Sequence, residues 1–281
     1  MIDIDGFRQY LYEEEMSRNT TVAYLHAVEL YAAKYDEITK GNLIEYKQEQ
    51  LARYKPSTVN IRIAALMSYC RYARINARLK TIKLPSKTYI ENVITQEQLD
   101  TLIRCLDEDG KRCWSVNVLL LAKTGMRISE AMRVKKSDIE AGQITMHTKG
   151  HMRTIYFPQS LVEDIWEDLA DLSLSDQVIR CCGAGKRKQG KTVPVKSAEG
   201  FRNNLNRLGI KYGLPKEVVH PHAFRHYFAL EFLKENPDIA LLSDILGHRS
   251  IDMTRIYLRR SQEQLKDAVD KAVNWQNRKL L

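Results

Sequence analysis

Pro221-His222-Ala223-Phe224-Arg225-His226 sets His222 and Arg225 three positions apart, which in a helix means one face. Pro221 stands where a helix opens, because the N–H it lacks would have no partner there. Downstream, Leu246-Gly247-His248 ends a second helical pattern at a glycine. Tyr257 follows nine positions after His248, within Thr254-Arg255-Ile256-Tyr257-Leu258. Upstream, Thr124-Gly125-Met126-Arg127-Ile128-Ser129-Glu130 puts an arginine just past a glycine turn, where a left-handed residue ends one helix and another can start. Between these blocks lies the clear β signal. Gln143-Ile144-Thr145-Met146-His147-Thr148 and Met152-Arg153-Thr154-Ile155-Tyr156-Phe157 have strand composition, and Lys149-Gly150-His151 joins them into a hairpin. Taken singly these are ordinary features: a surface arginine, a satisfied histidine, an edge lysine, a core tyrosine with its hydroxyl at the rim. The information lies in their order.

The 281 residues carry 44 Lys and Arg against 35 Asp and Glu, a formal charge of +9. The excess is local. Residues 50–90 hold nine basic side chains and no acidic one, and residues 180–216 hold ten against Glu199 alone. Two basic faces suit a polyanionic partner that is gripped from two sides, with double-stranded DNA first among candidates. No stretch approaches the ~20 apolar residues of a spanning helix. The opening Met1-Ile2-Asp3-Ile4-Asp5 is acidic, unlike the basic start of a signal peptide. A cytoplasmic protein with no membrane partner is therefore expected. The five cysteines show no CxxC pair and no zinc-finger spacing, and read as reduced, buried thiols.

Residues 1–84 read as helices. Asn19 or Thr20 is a candidate cap for a segment whose Val22, Leu25, Val28 and Leu30 recur near helical period. Pro56-Ser57-Thr58 opens a longer helix, with Ser57 or Thr58 as its cap. That helix carries Arg62, Arg71 and Arg74 and has the size to lie in a major groove. Residues 85–92, around Pro85, read as a linker. A second unit spans 93–281. In it Thr95 and Gln98 form a capping box, and the apolar run 116–122 is a buried helix. Everything past Pro158 is helical except the glycine-rich, basic loop 181–194. Beyond Tyr257, an apolar stripe of Leu265, Ala268, Val269, Ala272 and Val273 marks a tail helix, docked either on its own unit or on a neighbouring protomer. The expected fold class is mainly α with a small antiparallel β-sheet.

Together and in this order, Arg127, Lys149 in a hairpin, His222-x-x-Arg225, His248 and Tyr257 resemble the tyrosine recombinase family of phage integrases and Xer-like site-specific recombinases. Asn19-Thr20-Thr21-Val22-Ala23-Tyr24 and Pro56-Ser57-Thr58-Val59-Asn60-Ile61-Arg62 resemble the family's helical, SAM-like core-binding domain. Ile94-Thr95-Gln96-Glu97-Gln98-Leu99 resembles the start of its catalytic domain. The likeness runs over about residues 4–260. One departure is Thr148, where many relatives have glycine before the lysine; Lys135 and Lys136 are the substitutes for Lys149. The resemblance implies a site-specific recombinase or integrase that cleaves and rejoins DNA through a 3′-phosphotyrosyl link at Tyr257, with no metal, cofactor or ATP. It also implies a homo-oligomer on the recombination site, tetrameric in synapsis, and accessory or directionality proteins.

The residue types suit that chemistry. Attack on a phosphodiester builds negative charge on the non-bridging oxygens, and cationic donors stabilise it. Arg127 and Arg225 supply guanidinium forks that stay charged. His222 and His248 add donors, and one of them is a candidate acceptor for the tyrosine proton. Tyr257, with an ordinary pKa near ~10, needs such neighbours to react as phenolate. The resemblance gives Lys149 the task of protonating the leaving 5′ oxygen. Glu130 reads as a buttress for one of the cations. Lys55, Arg62, Arg71, Arg74, Lys83 and Lys87 are expected on DNA from the first basic region, and Lys186, Arg187, Lys188 and Arg202 from the second. Two rival readings remain: a type IB topoisomerase, which relaxes DNA without exchanging partners, and a non-catalytic regulator that uses 241–257 as a helix-turn-helix.

Overall fold

The structure is a computed structural model that describes residues 2–84, 92–148, 151–182, 192–248, 250–258 and 269–270. The chain divides into two compact units, Met1–Ser86 and Lys87–Leu281. Each has its own core.

The first unit is four helices: α1 (Ile4–Glu13), α2 (Arg18–Ala32), α3 (Lys40–Arg53) and α4 (Pro56–Tyr72). Its core is aromatic. Phe7 meets Tyr69 edge-on at 5.2 Å between ring centres, and Tyr31 meets Tyr46 at 5.1 Å. Leu11, Val28, Leu43 and Leu66 fill the space between them with no exposed surface. Each such aliphatic side chain contributes about 1.5–3 kcal/mol when fully buried. The start of α2 corrects the sequence reading. Ser17, rather than Asn19 or Thr20, is the cap, accepting from the Thr20 amide at 3.2 Å. Leu25, Ala27, Val28 and Tyr31 face inward along this helix, while Val22 is 61% exposed. At α4 neither Ser57 nor Thr58 caps. Pro56 takes the first helical position behind Lys55, with no side-chain cap bond, since proline leaves one orphan amide fewer to satisfy. α4 also stops short of Arg74, which adopts φ +54. From there to residue 84 the chain has no regular structure. The Asn60 amide pins it from both sides, donating to the Ile82 carbonyl at 2.9 Å and accepting from the Ile82 N–H at 2.8 Å.

The second unit is built around α6 (Arg112–Thr124), buried on nearly every face: Trp114, Val116, Val118, Leu119, Leu120 and Leu121 all lie in the core. Against it pack α5 (Gln96–Glu108), opened by the Thr95/Gln98 capping box, and α11 (Pro221–Glu235). Short helices α7 (Ile128–Ala131) and α8 (Lys136–Glu140) lead to the hairpin β1 (Gln143–Thr148) and β2 (His151–Tyr156). Its antiparallel register sets Met146 opposite Arg153 and Ile144 opposite Ile155. Alternation then points 153, 155 and 157 inward, where Ile155 and Phe157 are buried, and leaves Met152 and Tyr156 in solvent.

After α9 (Gln159–Ile165) comes a second sheet absent from the sequence reading, which had only a loop here. β3 (Arg180–Cys182) pairs antiparallel with β4 (Thr192–Pro194). Three-residue strands are too short for a periodic signal. They form because buried Asn117 on α6 donates to the Arg180 carbonyl at 2.6 Å and accepts from the Arg180 N–H at 3.2 Å. Then follow α10 (Ala198–Lys211), α12 (Ile239–Leu246), the one-turn α13 (Asp252–Arg255) and a 3-10 turn at Ile256–Leu258. The expected thiol burial holds only for Cys70. Cys182 is exposed, and its sulfur lies 3.3 Å from that of Cys113. Among the described residues no helix is long and apolar enough to cross a membrane. Of the tail stripe, Leu265, Ala268, Ala272 and Val273 fall outside the described residues, and Val269 is exposed.

Candidate active site

The end of α12 organises the site. Three consecutive carbonyls there each accept from a different arginine. The Ile245 carbonyl takes Arg153 Nη1 at 3.1 Å, Leu246 takes Arg225 Nη2 at 2.7 Å, and Gly247 takes Arg127 Nη2 at 3.4 Å. A helix C-terminus leaves its last carbonyls unpaired and carries partial negative charge, so it draws cations from three separate elements to one place. Gly247 makes the end possible. It is left-handed at φ +62, and a Cβ on it would stand 2.4 Å from Arg153 Cδ.

Each arginine has a second tie. Gly125, also left-handed at φ +61, ends α6 and offers its carbonyl to Arg225 Nη1 at 2.7 Å. Arg127 follows the same turn and meets Glu130 Oε1 at 3.1 Å. The other oxygen of Glu130 accepts from the Arg127 amide at 2.7 Å and from Arg153 Nη2 at 2.7 Å. With Glu130 6% and Arg153 10% exposed, this pair is largely out of water; removing either partner strands a buried charge, typically at ~3–5 kcal/mol. Glu130 is thus the buttress expected from the sequence, serving two arginines. Arg153 is the residue sequence reading missed. The available signal was an arginine at the inward register of β2, in line with Ile155 and Phe157.

The charges act on one another. Burial, then Arg127 and Arg153, push Arg225 down to about 10, so it remains a cation at neutral pH. Burial and the same three arginines push His248 down to about 4. Its Nδ1 lies 2.7 Å from the buried Thr254 hydroxyl. His222, on the face of α11 expected for it, is lowered by burial, by His220 and by Arg225 and Arg127. Tyr257 sits in the 3-10 turn, 8% exposed. Burial raises its pKa while Arg225 and Arg127 pull it the other way. Its hydroxyl lies 2.9 Å from His226 Nδ1, a partner the sequence reading did not assign. Arg127, Glu130, Arg153, Gly247 and His248 line a cleft of about 500 Å³ beside these groups. Five of the six residues expected in the site, Arg127, His222, Arg225, His248 and Tyr257, therefore come together. Lys149 lies outside the described residues. Its two substitutes are engaged elsewhere, Lys136 on the Leu172 carbonyl and Lys135 as the residue that opens α8.

The nucleic-acid candidates divide between the units. In the first, Lys55, Arg71, Arg74 and Lys83 are exposed, and the Arg62 guanidinium lies 4.0 Å from the Tyr54 ring centre. In the second, Arg202 is exposed on α10. Lys87, Lys186, Arg187 and Lys188 lie outside the described residues. The helix-turn-helix reading of 241–257 loses its second helix: α13 is four residues long, a single turn rather than a rod that could read a groove.

Residues 92–264 match the model of the phage integrase family. The tyrosine recombinase XerA of Pyrococcus furiosus is 29% identical over 96% of this chain and 93% of its own length. The tyrosine recombinase XerC of Lactobacillus delbrueckii subsp. bulgaricus is 28% identical over 93% and 95%. Among solved structures, the Tn1549 transposon integrase in complex with circular intermediate DNA superposes with a TM-score of 0.71 at 15% identity, covering 96% of this chain and 99% of that one; at that identity the likeness is one of fold.

Proposed function

The chain belongs to the phage integrase family and is a tyrosine recombinase, and from that premise we propose that it acts on specific sites in double-stranded DNA, cleaving and rejoining each strand through a 3′-phosphotyrosyl bond to Tyr257. The observation that carries the reading is the meeting of Arg127, Arg153 and Arg225 at the end of α12, within electrostatic reach of His222, His248 and Tyr257. Fixed cations aimed at a developing phosphorane need no reorganisation during the reaction, the usual source of large catalytic effects. Arg127 is about one third exposed and presents its guanidinium to an incoming phosphate. Arg225 holds the same charge from behind.

In this reading Tyr257 attacks phosphorus, the bond to the 5′ oxygen breaks, and Lys149 protonates that oxygen. The covalent link keeps the bond energy for religation, so no ATP is consumed. Recombination requires partners, which argues for a homo-oligomer on DNA, tetrameric when two sites are paired. The first unit serves as the core-binding domain. The test is Tyr257→Phe on a nicked suicide substrate. The variant should shift the DNA in a gel as wild type does and yield no covalent protein–DNA band. A covalent band would remove Tyr257 from the role. Exchange of strands between two duplexes, followed on labelled substrates, separates this activity from simple relaxation.

A further inference from the structure

We propose that His226 is the base that takes the phenolic proton of Tyr257. The proposal rests on Tyr257 being the nucleophile and identifies what activates it. A general base must stand within about 2.6–3.2 Å of the oxygen it deprotonates. His226 Nδ1 lies 2.9 Å from the Tyr257 hydroxyl, with ring centres 5.6 Å apart. The other histidines are less suited. His248 spends its Nδ1 on Thr254. His222 lies one helical turn before His226, the two ring centres 6.5 Å apart, and its expected part is to donate to a phosphate oxygen.

Burial makes such a base necessary. A tyrosine 8% exposed is largely withdrawn from bulk solvent, and desolvation opposes the phenolate. Around the pair stand Arg225 and His222 on the same helix, Arg127 from the turn after α6, and His248 after α12. The arginines stabilise the phenolate, and none of them accepts a proton. In the Nε2–H tautomer, Nδ1 carries the lone pair and the phenol donates to it. Transfer gives an imidazolium and a phenolate. The phenolate oxygen bonds to phosphorus as the bond to the 5′ oxygen breaks, and that oxygen takes its proton from the separate acid, Lys149. On religation the 5′-hydroxyl gives its proton back to the neutral amine of Lys149 as its oxygen attacks phosphorus, and the imidazolium returns the first proton to Tyr257 as it leaves. His226 ends as it began.

The decisive variant is His226→Asn in the full chain, whose amide oxygen can stand near the place of Nδ1 and accept a hydrogen bond but does not titrate near neutrality. Single-turnover formation of the covalent adduct on the nicked substrate should fall about 100-fold or more, within the range of a lost general base. The acid limb that histidine gives the wild-type pH–rate profile should vanish, leaving a rate that climbs toward alkaline pH as the phenol ionises by itself. Fluorotyrosine at position 257, a more acidic phenol, should restore much of the rate to His226→Asn and little to Arg225→Ala. Gel shifts and melting curves check that the variant folds and binds. An unchanged rate and profile in His226→Asn would overturn the proposal. So would faster cleavage, which would make the histidine a latch, or a loss that fluorotyrosine does not relieve, which would make its role structural. If Tyr257→Phe itself forms adduct, the nucleophile assignment has failed instead.

Discussion

The imidazole of His248 sits among Arg127, Arg153 and Arg225, and burial together with those cations pushes it from 6.5 to about 4. A base whose folded-state pKa lies below its unfolded value binds fewer protons folded than unfolded between the two values. Its neutral form therefore supports the fold fully above pH ~6.5, and that support is lost as pH falls towards ~4. His222 and His220 are lowered as well and act with the same sign. The melting temperature of the DNA-free protein should fall between pH 6.5 and 4, and His248→Gln should make that fall shallower while leaving the curve above pH 7 parallel to wild type. Equal slopes for the two proteins would mean that His248 is not held neutral. The same groups mark what one residue in its local sequence can reveal. The arginine after Gly125 and the His-x-x-Arg pair are local patterns, legible without tertiary structure. The contact of His226 with Tyr257 spans 31 positions, and nothing in either local sequence announces it.

At the level of elements, α12 is eight residues long, and its end seats three arginines. Substituting Gly247 tests whether the seat matters. Alanine there pays a left-handed backbone penalty of about 1–2 kcal/mol, and its Cβ meets Arg153 at 2.4 Å, so Arg153 must leave Ile245 or Glu130. Gly247→Ala should lower thermal stability by that amount or more, and adduct formation should drop even where the protein is fully folded. A variant that loses stability but cleaves at the wild-type rate would show that the arginines do not depend on this helix end. Elements also show where sequence reading reaches. The capping box at Thr95 and the glycine ends of α6 and α12 were legible because each is decided within a few residues. So was the hairpin, by its alternation. The second sheet was not, since its strands depend on Asn117, 63 positions away from Arg180. The cap of α2 was misread because Ser17, Asn19, Thr20 and Thr21 are all good caps, and packing of Leu25, Val28 and Tyr31 chose among them.

On the scale of the whole molecule, charge and core are divided between two units. The first has an aromatic and aliphatic core and a stretch, residues 50–90, with nine basic side chains and no acidic one, of which Arg53 pairs with Glu49 just outside it at 3.4 Å. That division was visible in the sequence as two basic stretches, whereas the rigid charges of the site were not distinguishable there from surface arginines. The two kinds of cation should behave differently toward salt. Arg71 and Arg74 are exposed, and Arg62 lies over Tyr54; as phosphate contacts they would release counterions on binding, and each would add about 0.9 to the slope of log affinity against log salt. Replacing all three with glutamine should weaken binding most at low salt and reduce the slope by up to ~3. Folding should change little, because exposed substitutions usually cost within ~0.5 kcal/mol and only Arg62 also loses a ring contact worth about 0.5–1 kcal/mol. Gel-shift titrations between 50 and 200 mM salt read the slope directly. A slope equal to wild type would take these three side chains off the DNA and leave the second unit to supply the phosphate contacts.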